Sequence, residues 1–507
     1  MQPNSPLPDD AAVLKAMVSA QQAEIEHLKL IIAKLRRAQF GRRSERLDET
    51  LAQLELSLEE LEVVRAERQA RTPSSDESVP ESKRSGREPL PEHLPRETRE
   101  HAPAQCTCPD CGGALKKLGE DVSEVLEYVP EHFKVIRHVR PKFACGGCDT
   151  IVQAPAVSRP IARGRAGAAL LAHVLTAKYC DHQPLYRQSA IYARARVELE
   201  RSTLADWVGQ CSALVRPLVD AIRRYVLASA KLHGDDTPVP VLAPGEGKTR
   251  TGRLWTYVRD NRPAAEQAPP AVWFAYSPNR RGEHPQAHLK KYRGILQADA
   301  FAGYEALYAE GHIQEAACWA HVRRKFFDLA KAQASPLATE ALKRIGALYE
   351  IEAGIRGQPP DQRQAVREKL AAPLLDEFKL WLAATLGQLS KRSALAEAIR
   401  YALTRWPALT RYVGDGRIEM DNNAAERALR AVAIGRKNYL FAGSDAGGER
   451  AAAIYSLIGT AKLNDMDPEA YLRHVLERIA DHPVNRIDEL LPWNVELEPR
   501  IENRAAA

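Results

Sequence analysis

The sequence predicts a multidomain α+β protein built around a mixed sheet with helices crossing over it. Three observations predict this. The chain has 507 residues, too many for one core, so roughly three to five domains are expected. Between Leu232 and Ala332, strand-like and helix-like stretches follow the order β-β-β-α-β-α-β-α, the pattern of a sheet with crossover helices. Two Cys-x-x-Cys pairs stand ahead of that region and predict a small separate module held by a metal.

The bulk composition narrows the function classes. The net charge is +6, charged residues make up 27% and hydrophobic residues 45%. That is the balance of a globular protein, mildly biased toward an anionic partner such as nucleic acid. No apolar run reaches membrane length, and the start MQPNSPLPDD has no signal-peptide pattern. A cytoplasmic location away from membranes is the expectation. The eight cysteines then read as thiols or metal ligands rather than disulfides.

Residues 11–65 read as helical. Leu14, Val18, Ile25, Leu28, Ile32 and Leu35 follow a three-four spacing, with Gln21 as its polar member. Leu47, Leu51, Leu54, Leu58 and Leu61 form a second seam, after a break at Gly41. Such seams pair helices, either between chains as a coiled-coil dimerisation segment or as a hairpin on the protein itself. Residues 66–104 carry Arg, Glu, Ser and Pro with little apolar content and predict a disordered linker.

Residues 105–160 hold Cys108-x-x-Cys111 and Cys145-x-x-Cys148, separated by 33 residues. Four thiolates in knuckle-like turns suit a closed, tetrahedral, structural Zn²⁺ site. Cys106 is a spare, expected not to ligate. The intervening residues read as a strand pair, a zinc-ribbon-like arrangement. Lys134, Arg137, His138, Arg140 and Lys142 make the pair basic, which suits DNA phosphates or a solvated strand face.

Residues 164–228 read as three helices with short turns, compatible with a helix-turn-helix whose later helix enters the major groove. Ser202 is the expected cap of that helix, and Lys178, Arg187, Arg194 and Arg196 add basic charge.

Residues 229–333 carry the mixed sheet. Asp235 lies within its first strand, and Asp299 is placed at the end of its fourth. Paired in parallel through a crossover, the two strands would bring both carboxylates to one edge. Asp236 should face the other side, because side chains alternate along a strand. Residues 334–417 read as an all-helical insertion. Residues 418–460 return to the core, with Glu426 three residues after Asn423 in a capping-box pattern. The stretch Ala442–Glu449 predicts a glycine-rich loop lacking the lysine of a phosphate loop. Residues 461–507 form a C-terminal helical element and tail.

Asp235, Asp299 and Glu426 give three carboxylates from separate segments, the minimum for a two-Mg²⁺ site in phosphodiester chemistry. Asp235 would bridge both ions, and Asp299 and Glu426 would each hold one, with Mn²⁺ able to substitute. Arg323, Arg324, Arg427, Arg430, Arg436 and Lys437 suit phosphate contacts. Cys318-Trp-Ala-His321 offers only two metal ligands, so a buried Cys beside a His touching the triad's surroundings is the favoured reading.

The stretches HGDDTPV, LQADAFAGYEALY, ACWAHVRRKFFD and EMDNNAAERALRAVAIGRKNYLFAGSDAGGERAA resemble the catalytic signatures of bacterial DDE transposases of the insertion-sequence-66 family. CPDCGG with CGGCD, FGRRSERL, and YCDHQPLYRQ with RSTLADWVG resemble that family's zinc-finger, N-terminal and helix-turn-helix regions. The family commonly shows Glu where this chain has Asp236. The resemblance implies an RNase H-like catalytic core with Asp235, Asp299 and Glu426 as the DDE triad. It also implies Mg²⁺-dependent cleavage at element ends and attack of the freed 3′-OH on target DNA. Its expected partners are double-stranded element ends and target DNA, further copies of the chain, and accessory proteins of the same mobile element. The alternatives are a zinc-containing, metal-dependent nuclease that cuts without joining, and a catalytically degenerate DNA-binding regulator.

Overall fold

The computed structural model describes residues 89–103, 107–129, 132–243, 248–333, 335–435 and 442–497. The helical seams of residues 11–65, Cys106, Arg436 and Lys437 lie outside them. It is a mixed α/β structure with two sheets.

The first sheet contains β1 (Arg96–Glu100), β2 (Leu115–Val129), β3 (His132–Cys145) and β4 (Ile151–Gln153). β2 and β3 are the expected antiparallel pair, and β1 and β4 both pair with β3. β1 corrects part of the linker expectation. Its charges are matched across strands, with Lys134 donating to Glu97 at 2.6 Å, so a polar stretch gains the partners a strand needs.

The hairpin's basic charge is largely paired within the sheet itself. Lys142 pairs with Asp121 and Arg140 holds the Ala154 carbonyl and Gln153. His138 is buried against His101, and Arg137 alone of the five stays exposed.

Four helices follow: α1 (Ala168–Tyr179), α2 (Leu185–Arg194), α3 (Arg201–Leu214) and α4 (Arg216–Leu227). Glu127 of β2 accepts the Leu170 N–H at the start of α1, tying hairpin to helices. Helix α3 begins at Arg201 with no side-chain cap. Ser202 lies inside it and donates to Glu200 instead. No residue of α3 is exposed, whereas Arg187, Arg194 and Arg196 on α2 and the turn after it are.

The second sheet has strands β5 (Lys231–Ala243), β6 (Lys248–Arg259), β7 (Ala271–Ser277), β8 (Gly294–Gln297) and β9 (Ile313–Ala316). Their order is β7-β6-β5-β8-β9. The first three are mutually antiparallel, and β8 and β9 continue in parallel. Helices α5 (Glu283–Leu289) and α6 (Glu305–Ala309) lie on the crossovers, and α7 (Trp319–Gln333) follows β9.

The insertion is helical: α8 (Pro336–Ile355), α9 (Pro360–Val366), α10 (Ala372–Gly387), α11 (Ala394–Thr404) and α12 (Trp406–Thr410). Its core is organised on the stacked and edge-on rings of Trp319, Phe378 and Trp406. A buried ion network ties it to the sheet. Arg363 pairs with Glu419 at 3.0 Å, Arg367 with Glu352 at 2.6 Å, and Lys231 of β5 lies 4.0 Å from Glu419.

Helix α13 (Asn423–Gly435) returns to the sheet. Its Ala425, Leu429 and Val432 pack on Leu254, Val258, Val272 and Phe274. Helix α14 (Asp445–Leu463) starts within the expected glycine-rich loop, because Ser444 caps it by accepting the Gly447 N–H. The glycines there are a matter of space: a Cβ on Gly448 would collide with the Tyr276 ring. Helix α15 (Pro468–Arg478) is capped by Asp467. Among the described residues, no helix is long and apolar enough to cross a membrane.

Candidate active site and metal centre

The four-thiolate cluster forms as its spacing predicts. Cys108, Cys111, Cys145 and Cys148 place their sulfurs within 4.8 Å of one another. The closest pairs are Cys108–Cys148 and Cys111–Cys145, each at 3.3 Å. Glycine keeps the knuckle open, since a Cβ on Gly113 would lie 3.2 Å from the Cys145 sulfur. The Gly147 N–H points at that same sulfur at 3.4 Å. Four soft donors with inward-facing amides fit a structural Zn²⁺ and leave no position for substrate.

The carboxylates are assembled by strand register. β5 and β8 pair in parallel with His233 opposite Gln297. Carried two residues further, that register sets Asp299 beside Asp235. Asp299 stands just beyond the end of β8 rather than on it, so its backbone is free of the ladder. Its carboxylate accepts the Phe301 N–H. Oxygens of Asp235, Asp236 and Asp299 all lie within 4.8 Å of one another.

The two adjacent aspartates nevertheless occupy different surroundings. Antiparallel partners share a face, and Asp235 pairs with Thr256 while Asp236 pairs with Trp255. Asp235 therefore shares the face that carries α13, and Asp236 the opposite one. Asp236 is compensated by Arg253 at 3.0 Å and by Arg280 at 2.8 Å. Arg280 also reaches Asp299 at 3.2 Å and lies over the Phe301 ring. Among the described residues, Asp235 has no basic partner. Burial pushes its carboxyl up to about 7, with the Asp236 N–H opposing this and Asp299, Asp236 and Glu426 adding to it. An uncompensated carboxylate beside a second acid, both offering hard oxygen donors, fits a divalent cation such as Mg²⁺.

Glu426 lies in the first turn of α13. Its charge is felt at Asp235, yet its carboxylate sits within 4.8 Å of the Cys318 sulfur and a His321 ring nitrogen. The Asn423 capping box is not formed. Asn423 lies inside the helix, and Asp421 accepts its N–H at 3.1 Å. The position before it, Asn422, is fully buried. Its side-chain amide donates to the Gly234 carbonyl at 2.8 Å, and its carbonyl oxygen pairs with His233 at 3.1 Å. Asn422 thus fastens the start of the Glu426 helix to the strand that carries Asp235. Composition gave no sign of this link, although His233 and Asn422 each sit close to a candidate acid in sequence. Arg253 and Arg280 were missed for the same reason: only the fold brings them to Asp236. Arg323, Arg324, Arg427 and Arg430 are all exposed.

A thiolate knuckle thus stands ahead of a mixed sheet that gathers carboxylates where β5 meets β8. The model of the transposase IS66 family matches residues 163–450. The family's C-terminal element matches residues 456–493 and its zinc-finger binding domain residues 105–149. A model described as transposase C of IS166 homeodomain matches residues 27–99. The chain belongs to the IS66 transposase family and includes its zinc-binding domain. Relatives in Sinorhizobium fredii are similar over nearly the whole length. The uncharacterized protein y4hP is 47% identical over 491 residues, covering 92% of this chain and 88% of its own. The uncharacterized protein y4jD is 37% identical over 503 residues, covering 96% and 97%.

Proposed function

We propose that the chain is a DDE transposase whose RNase H-like core uses Asp235, Asp299 and Glu426 to cut DNA at element ends and join the 3′-OH to target DNA. The observation that carries the reading is the convergence of Asp235 and Asp299 at the β5–β8 junction, with Glu426 close enough to raise the Asp235 carboxyl. Strand order β7-β6-β5-β8-β9, antiparallel then parallel, supports the RNase H-like assignment.

Asp235 and Asp299 would hold Mg²⁺ with Glu426. The bound metal would supply Lewis-acid activation of the attacking oxygen and stabilisation of the leaving one. The chain itself positions the phosphate. Arg280 offsets repulsion between Asp236 and Asp299, and its partial exposure, 37% of the side chain, lets the guanidinium reach a bound phosphate. Arg427 and Arg430 flank Glu426, and Arg323 and Arg324 project from α7; all four add sequence-independent phosphate contacts. Arg187, Arg194 and Arg196 mark α2 and the turn after it as the DNA-facing side of the helical region. The N-terminal seams would pair copies of the chain, and the helical insertion would clamp DNA or a second protomer.

Strand-transfer assays with pre-cleaved 3′-OH element ends test the reading. Integration products are expected in Mg²⁺, while cleavage without joining would make the chain a nuclease.

A further inference from the structure

We propose that Cys318, His321 and Glu426 form a second transition-metal site, where the first turns of α7 and α13 meet, for a borderline divalent cation such as Zn²⁺. The sequence alone offers two of these ligands. The fold supplies the third, from a segment more than a hundred residues away, and all three donor atoms lie within 4.8 Å of one another.

The donor chemistry decides the cation class. A sulfur, an imidazole nitrogen and a carboxylate oxygen together suit Zn²⁺ or a similar borderline ion, whereas Mg²⁺ selects oxygen and would not use Cys318. The geometry is prepared in three ways. Cys318 stands immediately before α7 and His321 lies in its first turn, and the fold brings both donors within 4.8 Å of the Glu426 carboxylate. Backbone N–H groups of Asn422, His321 and Ala320 point at the Cys318 sulfur, with Asn422 at 3.2 Å. Burial pushes the Cys318 thiol up to about 12 and these amides oppose that shift, so a bound cation would have to supply the rest of the thiolate's stabilisation. Independently, the His321 Nδ1 is buried with no hydrogen-bond partner. A buried ring nitrogen left unpaired is costly, and a cation bound through that nitrogen would satisfy it.

Three protein ligands leave a fourth coordination position open. A metal here would cross-link α7 to α13 and hold the third carboxylate of the candidate triad. In this structure Glu426 falls in this cluster and not in that of the aspartates. The inference shares only that residue with the proposed Mg²⁺ chemistry.

Metal content of the purified full chain, measured by mass spectrometry after dialysis against zinc-free buffer, tests it. The expected result is a zinc equivalent beyond that of the four-thiolate knuckle. Cys318→Ser and His321→Ala should each remove that second equivalent and keep the first. Cys108→Ser with Cys111→Ser should do the reverse. In that double variant, Co²⁺ should still give a thiolate charge-transfer band, and adding Cys318→Ser should abolish it. Retention of the knuckle's zinc serves as the fold control. A single equivalent in the unaltered chain, absent from the Cys108/Cys111 variant, would overturn the proposal. So would a second equivalent that survives both Cys318→Ser and His321→Ala. Failure of the catalytic reading is separable, because it appears as nicking that survives Asp235→Asn and leaves these metal counts unchanged.

Discussion

Two ligand clusters of this chain, the thiolate knuckle and the aspartates, solve the problem of gathered charge in opposite ways. The knuckle of Cys108, Cys111, Cys145 and Cys148 is closed: four equivalent donors face one another, and nearby basic residues are spent on Glu97, Asp121 and the Ala154 carbonyl. The carboxylate cluster is uneven: Asp236 carries two guanidinium partners, Asp299 shares one of them, and Asp235 has burial and like charges around it. A site satisfied by its own ligands can only hold a structure together. The proposed function places the cation and the phosphate at the site with one uncompensated acid. The difference separates scaffold from chemistry without appeal to either motif.

The largest effect should follow from emptying the closed site. Structural Zn²⁺ contributes roughly 10–16 kcal/mol of apparent binding free energy in small modules. Cys145→Ser, or a strong chelator, should therefore expose β2 and β3 to hydrogen exchange, read by mass spectrometry. Unchanged protection of that hairpin would show that it stands without metal.

Next comes the ion network that ties the insertion to the sheet. Arg367 is fully buried and pairs with Glu352 at 2.6 Å. Arg367→Met leaves Glu352 only the longer contact to Arg363 at 3.5 Å and strips the Tyr412 and Ile418 carbonyls of a donor; it should cost about 3–5 kcal/mol, measured by denaturant unfolding. A loss below about 1 kcal/mol would mean that water already reaches the pair.

A smaller effect belongs to the open site. Arg280→Gln removes a competitor for the carboxylates, so the Mg²⁺ concentration for half-maximal nicking should fall about tenfold, equivalent to ~1.4 kcal/mol. Unchanged Mg²⁺ dependence would remove Arg280 from the site's charge balance.

A further effect, of similar size, is a dependence on pH. Burial, reinforced by Lys231, pushes His233 down to about 3. The unfolded chain takes up a proton near the ordinary value that the folded chain does not, so stability falls as pH drops from about 6.5 toward 3. At pH 5 the loss from this residue is about 2 kcal/mol. His233→Gln should flatten the unfolding free energy over that range; an equal slope in both proteins would assign it elsewhere.

Legibility divides along the same line as the two clusters. The knuckle could be read from spacing, because its ligands come in two short local pairs. The alternating strands from Leu232 onward were legible too, and the parallel pairing of β5 with β8 follows from the crossover rule. What the sequence hid is long-range compensation. Nothing near Asp236 announces that Arg253 and Arg280 will flank it, since those contacts depend on register and on a loop after β7. Local rules also misled where tertiary partners outbid them. Asn423 looked like a cap until Asn422 was committed to His233 and Gly234. Ala442–Glu449 looked like a loop until Ser444 started α14 and Gly448 made room for Tyr276. Arg96–Glu100 read as linker because charge pairing across strands, as between Glu97 and Lys134, is invisible in one segment.

In the proposed function Asp235, Asp299 and Glu426 serve divalent-cation chemistry, while the thiolates of the knuckle serve the fold. Nicking of supercoiled DNA carrying the element's own ends, measured in Mg²⁺ for Asp235→Asn, Asp299→Asn and Glu426→Gln, tests it most directly. Each aspartate variant should lose at least about 10³-fold in rate, ~4 kcal/mol of barrier, while keeping the zinc of the knuckle. Glu426→Gln should lose a similar factor. Nicking at the original rate in either aspartate variant with its knuckle zinc intact would contradict the account.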